Sequence, residues 1–268
     1  MQGPAVKDRR RGGGVRRPPP LARLHLRLRG GIAWIELRGH DFDAALEAEL
    51  VAMTEALDLD PDVRVVVVEF PRAAATTVAA SAAEAGLSRP VAPAADGVAA
   101  VAALRVPVLG LVRGAIFDEW LELALACDLR VAARGSRFAA RAVREGRLPR
   151  RGATQRLPRL IGRPSAAWML FLGEPMTASR AQHCGLVDRV VVPGELAGAG
   201  RALARRIAAR APVAQRFAKE AILAAGDLPL AEGLRLEGDL YTLLQTTADR
   251  SEGVAAFLAR RRPRFRGA

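Results

Sequence analysis

The chain has 268 residues, half of them hydrophobic, and its 41 Lys and Arg against 28 Asp and Glu give a formal charge of +13. That length buries one large core, or one core and a small appended unit, and no apolar run approaches the roughly 20 uninterrupted residues of a membrane-spanning helix. The charge does not point to nucleic acid, because 39 of the 41 basic residues are arginine, the skew a GC-rich coding sequence produces, and no aromatic-interleaved basic groove accompanies them.

In chain order, residues 1–20 combine arginine, glycine and proline with almost nothing to bury, so disorder is expected, and they lack the apolar region of a secretory signal. Leu21 to Arg29 and Ile32 to Leu37 are strand-like runs around Gly30-Gly31, which reads as a β-hairpin. Leu46, Leu50, Met53 and Leu57 give helical spacing over Asp43 to Leu57, and Val63 to Phe70 reads as a buried strand. From Pro71 the sequence turns alanine-rich and weakly patterned, with a helix expected from Asp96 to Leu104.

The stretch Val106 to Ala133 organises the rest. Val106 to Val112 is apolar, β-branched and short, hence a buried strand that Gly114 ends. Asp118 is placed to N-cap a short helix, Glu119 to Cys127, and Leu129 to Ala133 is a second strand. Within the helix Glu122 is surrounded by Leu121, Leu123, Ala124, Leu125, Ala126 and Cys127. A carboxylate in such company is partly buried, and burial raises its pKa toward values useful for proton transfer. The alternative is that Glu122 faces solvent beside an arginine. Helices then follow at Arg163 to Leu172, Ser179 to Cys184, Gly194 to Arg210, Val213 to Ala225, Leu230 to Thr247 and Ser251 to Arg261, with a strand at Val187 to Val192. Strand–helix units followed by a helical end give an α/β domain with a helical appendix. The two cysteines, Cys127 and Cys184, sit in apolar or helical contexts, which fits a reducing cytoplasm. His25, His40 and His183 are scattered with no triad or metal-ligand spacing.

Several motifs stand in one order. Pro107-Val108 and Val112 with Gly114 precede Glu122-Leu123-Ala124 and Cys127-Asp128; Arg137-Phe138, Gly152 to Arg159, Gly173 to Ala178, Ala181, Gly185 to Asp188 and Gly253 to Phe257 come after. Over residues 22 to 268 this resembles the enoyl-CoA hydratase/isomerase (crotonase) superfamily. The resemblance implies a spiral of ββα units over 21–200, a helical region over 201–268 that mediates trimer or dimer-of-trimers formation, and an acyl-CoA thioester substrate with no separate cofactor and no metal. No internal sequence repeat displays the spiral by itself.

The resemblance also assigns residues. Glu122 matches the acid/base. The two backbone N–H groups that hold the thioester oxygen fall on Glu119, in Asp118-Glu119-Trp120 where the family has three glycines, and on Ala79, in the loop Ala74 to Ala80. One such donor is commonly worth about 10²–10³ in rate. The family's second glutamate falls on Ala142, with Glu145 three residues further on as a displaced replacement. Arg150 and Arg151 enter the turn near the acyl end, where a guanidinium suits a carboxylate on the acyl group. Tyr241, Phe257 and Arg260 match CoA-binding positions, the last often contributed by a neighbouring subunit. The implied activity is proton transfer on a CoA thioester through one glutamate. The rival reading is a catalytically impaired paralogue that binds acyl-CoA or serves as a partner subunit.

Overall fold

The computed structural model describes residues 22–71 and 96–268. The tail expected to be disordered and the loop carrying Ala79 lie outside these residues. A six-stranded sheet runs in the order β1 (Leu24–Arg29), β2 (Ile32–Leu37), β3 (Val65–Glu69), β4 (Val108–Val112), β6 (Leu129–Ala133), β9 (Arg189–Val191). The first pair is the antiparallel hairpin, with Arg29 opposite Ile32 across the Gly30-Gly31 turn, and every other pairing is parallel. A second sheet holds three short strands, β5 (Ala115–Phe117), β7 (Arg137–Ala139) and β8 (Met176–Thr177). These three are shorter than the alternation by which a strand is read from sequence.

Parallel strands need both faces covered, which is why β3 and β4 are continuous apolar runs. Val66, Val68, Val108 and Val112 join one cluster with Leu46, Leu50 and Met53 of α1 (Ala44–Asp58), Val98 and Val101 of α2 (Gly97–Ala103), and Leu121 and Leu123 of α3 (Glu119–Ala126). The alternate residues Val65, Val67, Leu109, Leu111 and Val131 meet Leu196, Ala204 and Ala208 of a helix that spans Leu196–Ala208 on the opposite face. A Cβ on Gly200 of that helix would lie 2.5 Å from Leu111, so glycine is what lets the helix approach β4.

The helix beginning the next segment, α4 (Ala153–Leu172), starts ten residues before the expected onset at Arg163. It is broken at Gly162, whose φ of 76° and ψ of 155° are not helical. Four further helices follow: α5 (Ala178–His183), the helix Leu196–Ala208 already described, here α6, α7 (Pro212–Ala224) and α8 (Leu230–Gln245), with α9 (Ala248–Leu258) closing the chain's helical end. Their outer faces leave Ile222, Leu230, Leu234, Phe257 and Leu258 more than half exposed.

Candidate active site

The site forms where β5 turns into α3. Trp120 fixes that turn in the core. It is fully buried, its ring meets Phe42 edge-on at 5.2 Å between centroids, and its Nε1 donates to the His40 carbonyl at 3.2 Å. Such an aromatic pair adds about 0.5–1.5 kcal/mol beyond area burial.

Asp118 does not act as the expected N-cap. An N-cap side chain reaches the first helical N–H groups from extended backbone, whereas Asp118 has φ 50° and ψ −115° and makes no capping bond. Its buried carboxylate turns to Arg141, accepting from the backbone N–H through Oδ1 and from Nε at 3.1 Å through Oδ2. The Arg141 guanidinium lies 4.3 Å over the Phe117 ring. A non-glycine residue in this conformation carries roughly 1–3 kcal/mol of strain that its surroundings must hold in place. The turn that the glycine-rich pattern would provide is thus built with an aspartate and an arginine clamp. Glu119 follows as the first residue of α3, and its N–H has no intrahelical acceptor.

Glu122 is 3% exposed. Its Oε1 accepts from the N–H of Arg151 at 2.7 Å and of Ala153 at 3.0 Å. Ala153 is the first residue of α4, so the carboxylate sits at that helix's positive end. Burial nevertheless pushes the Glu122 carboxyl above its ordinary value; the two N–H groups pull it down, the charge of Glu119 adds to the rise and Arg151 opposes it. A buried carboxyl that is raised yet hydrogen-bonded can both accept and release a proton.

Glu119, Glu122, Ala142, Arg147, Arg150 and Ala153 are among the residues lining a cavity of about 10 Å³, close to the smallest space that takes one water. The Glu119 side chain, 20% exposed, has Oε1 4.0 Å from Arg147 Nη1. Its Oε2 is buried without a hydrogen-bond partner among the described residues. Arg151 lends its backbone N–H to Glu122, but its guanidinium is drawn away into a buried ion pair with Glu47 of α1, 5.5 Å from the Phe42 ring centroid. Of the two arginines expected at the acyl end, Arg150 is exposed at the cavity and Arg151 is committed to the core.

Glu145 does not line the cavity; it is exposed and holds Arg147, whose Nε donates to its Oε2 at 3.0 Å. Tyr241 and Phe257, 63% and 83% exposed, lie on α8 and α9, and with Arg260 they line none of this cavity within one chain. Sequence reasoning missed Arg147 and the Asp118–Arg141 clamp. The only cue to Arg147 was its place two residues after Glu145. Cys127 is no nucleophile, since burial pushes its thiol up to about 12. Among the described residues no His, Cys, Asp and Glu cluster could hold a metal ion, and no helix is long and apolar enough to cross a membrane.

A buried carboxyl and the first residue of its helix lining one small cavity can together move a proton beside a stabilised carbonyl oxygen. Residues 28–268 match the family model described as enoyl-CoA hydratase/isomerase. The chain is 40% identical over 162 residues to the (E)-benzylidenesuccinyl-CoA hydratase of Thauera aromatica, covering 60% of this chain and 63% of that protein, so less than two thirds of that relative's length is matched. It is 36% identical over 220 residues to a probable enoyl-CoA hydratase of Mycobacterium tuberculosis, 81% of this chain and 86% of the relative. The crystal structure of an enoyl-CoA hydratase from Bacillus anthracis superposes with a TM-score of 0.84 at 28% identity, over 92% of this chain and 100% of that one. The chain belongs to the enoyl-CoA hydratase/isomerase family and has its crotonase fold.

Proposed function

We propose that this chain is an acyl-CoA lyase or isomerase in which Glu122 transfers a proton at the acyl chain while backbone N–H groups hold the thioester oxygen. One of those groups is the N–H of Glu119; the other, on Ala79, lies outside the described residues. The observation that carries the reading is Glu122 itself, a buried carboxyl raised above its ordinary range and aimed at the same cavity as the first turn of its own helix. Burial favours the protonated carboxyl, and the N–H groups of Arg151 and Ala153 stabilise the carboxylate once the proton has left.

The exposed positions of Tyr241, Phe257 and Arg260 suit contact with CoA held at a neighbouring copy. The apolar outer faces of α7, α8 and α9 supply the surface for a homotrimer or a dimer of trimers. Arg150, at the cavity, is the residue we take to meet a carboxylate on the acyl group, and the Thauera relative is named for a succinyl-type CoA thioester. Cytoplasmic location goes with this reading. A second reading, an acyl-CoA-binding paralogue with impaired chemistry, is favoured by Ala142 and by the tight cavity.

The test is turnover by the wild type and Glu122→Gln on a panel of 2-enoyl- and 3-enoyl-CoA thioesters, with and without a terminal carboxylate. Loss of about 10²–10⁴ in kcat on Glu122→Gln is expected, the usual worth of a general acid or base. Tight thioester binding with no turnover of any panel member favours the paralogue.

A further inference from the structure

The small cavity holds a second carboxylate that the alignment of motifs does not foresee. Glu119 stands one helical turn before Glu122, at the i, i+3 spacing that puts two side chains on one face. Both line the cavity, and so does Ala142. Glu119 Oε2 is buried there with no partner among the described residues. An unmet buried acceptor is costly, and a ligand donating to it from the cavity would remove that cost. The other charged groups lining the cavity have partners: Asp118 is turned onto Arg141, Arg151 onto Glu47 with only its Nε unmet among the described residues, and Arg147 is held by Glu145 and reaches Glu119. Arg150 is exposed at the rim.

Building on the proton-transfer reading above, we propose that Glu119 is a catalytic base: its carboxylate takes a proton from a water held between Glu119 and Glu122, so that the chain hydrates 2-enoyl-CoA thioesters with both carboxylates on one helix. The water oxygen bonds to the β-carbon as its proton passes to Glu119. The carbon–carbon π pair takes the proton of the Glu122 carboxyl at the α-carbon, leaving that carboxylate ionised. The net change is one water added across the double bond, and one proton returned from Glu119 to Glu122 through solvent resets the pair.

The two environments suit these roles. Burial favours the protonated form of Glu122, while the Glu119 carboxylate lies 4.0 Å from the Arg147 guanidinium and has an oxygen open to a further donor. The division of labour also resolves a conflict in the turn. A fixed negative charge on Glu119 would oppose charge developing on the thioester oxygen beside its own N–H. Accepting a proton in the same step removes that charge as the oxyanion forms.

The experiment compares wild type, Glu119→Gln, Glu119→Gly, Glu122→Gln and the double variant Glu119→Gln/Ala142→Glu in hydration of the 2-enoyl-CoA panel. Glu119→Gln and Glu119→Gly are expected to lower kcat by about 10²–10⁴ with KM within a few-fold. The double variant, which returns a carboxylate to the cavity from another element, is expected to recover at least about tenfold over Glu119→Gln. Wild-type or faster hydration by Glu119→Gln overturns the assignment and makes the side chain an obstruction. No hydration by the wild type overturns it as well. Isomerisation of 3-enoyl-CoA that disappears with Glu122→Gln would in that case leave the proton-transfer reading standing. Independently of turnover, the infrared band of the protonated Glu122 carboxyl should titrate at lower pH in Glu119→Gln, and an unmoved midpoint counts against a shared cavity.

Discussion

The two ends of helix α3 both bury charge, and they handle it in opposite ways. At the C-terminal end Arg130 donates to the carbonyls of Leu186 at 2.7 Å and Ala124 at 3.3 Å as well as to Cys127, closing the helix. Asp128 beside it accepts from Lys219 Nζ and from the Val108 N–H, each at 2.7 Å, and Lys219 also donates to the Val106 carbonyl. Every charge there answers two or more partners. At the N-terminal end Asp118 is held at positive φ, Glu119 has an oxygen without a partner among the described residues, and burial works against the ionised form of Glu122. One end spends its polar groups on holding the fold; the other keeps them unmet or strained, where a reaction can use them. Changes at the two ends should therefore separate stability from activity.

The largest expected effect is at the N-terminal end, where Glu122→Gln should lower kcat about 10²–10⁴-fold while circular-dichroism melting shows no loss of stability. A melting temperature that falls together with kcat would blur the contrast. The C-terminal counterpart is Arg130→Met, which orphans buried carbonyls at about 1–3 kcal/mol each. It should cost about 3 kcal/mol or more in urea unfolding while leaving KM for a CoA thioester unchanged in the protein that remains folded.

Asp118 sharpens the comparison further. Asp118→Ala keeps the strained backbone and loses the bonds to Arg141, so kcat should drop about tenfold, whereas Asp118→Gly relieves the strain and should stay within a few-fold of wild type. Equal losses in both would mean that the carboxylate, not the turn, is what matters. The smallest effect concerns pH. The folded-state Glu122 carboxyl lies above its ordinary 4.5, so the native state holds the proton longer than the unfolded chain and wild-type stability declines as pH rises through the folded value. Glu122→Gln removes that decline. Its melting temperature should match or exceed wild type at neutral pH, with the margin closing as pH falls toward 4.5. A margin that widens in acid would reverse the sign of the burial effect.

How much of this was legible in the sequence depends on the range over which each feature is determined. The strands β3, β4 and β6 and the helix carrying Glu122 stand out because local periodicity and burial agree. Strands β5, β7 and β8 do not, since each has only two or three residues and exists by pairing with the others. The onset of α4 at Ala153 was masked by Gly152, Pro158, Gly162 and Pro164, which read locally as punctuation. In the site, the burial of Glu122 follows from its neighbours along the chain. The capture of Arg151 by Glu47 joins residues 104 positions apart and has no local signature. Asp118 shows a different limit, because its residue type suits an N-cap while the tertiary turn imposes dihedrals that forbid one.

The break in α4 carries a consequence for how this protein can vary. Gly162 is exposed, and a Cβ built on it would meet nothing closer than Pro164 at 3.9 Å. By contact alone it is among the most permissive sites in the helix. Its φ of 76° and ψ of 155° nonetheless belong to a region open essentially to glycine. A saturation library scored for function should show an intolerant column at 162 beside tolerant ones at the equally exposed Arg163. Purifying selection at that codon would then act on a dihedral angle rather than on a contact, a constraint that no map of neighbours would reveal.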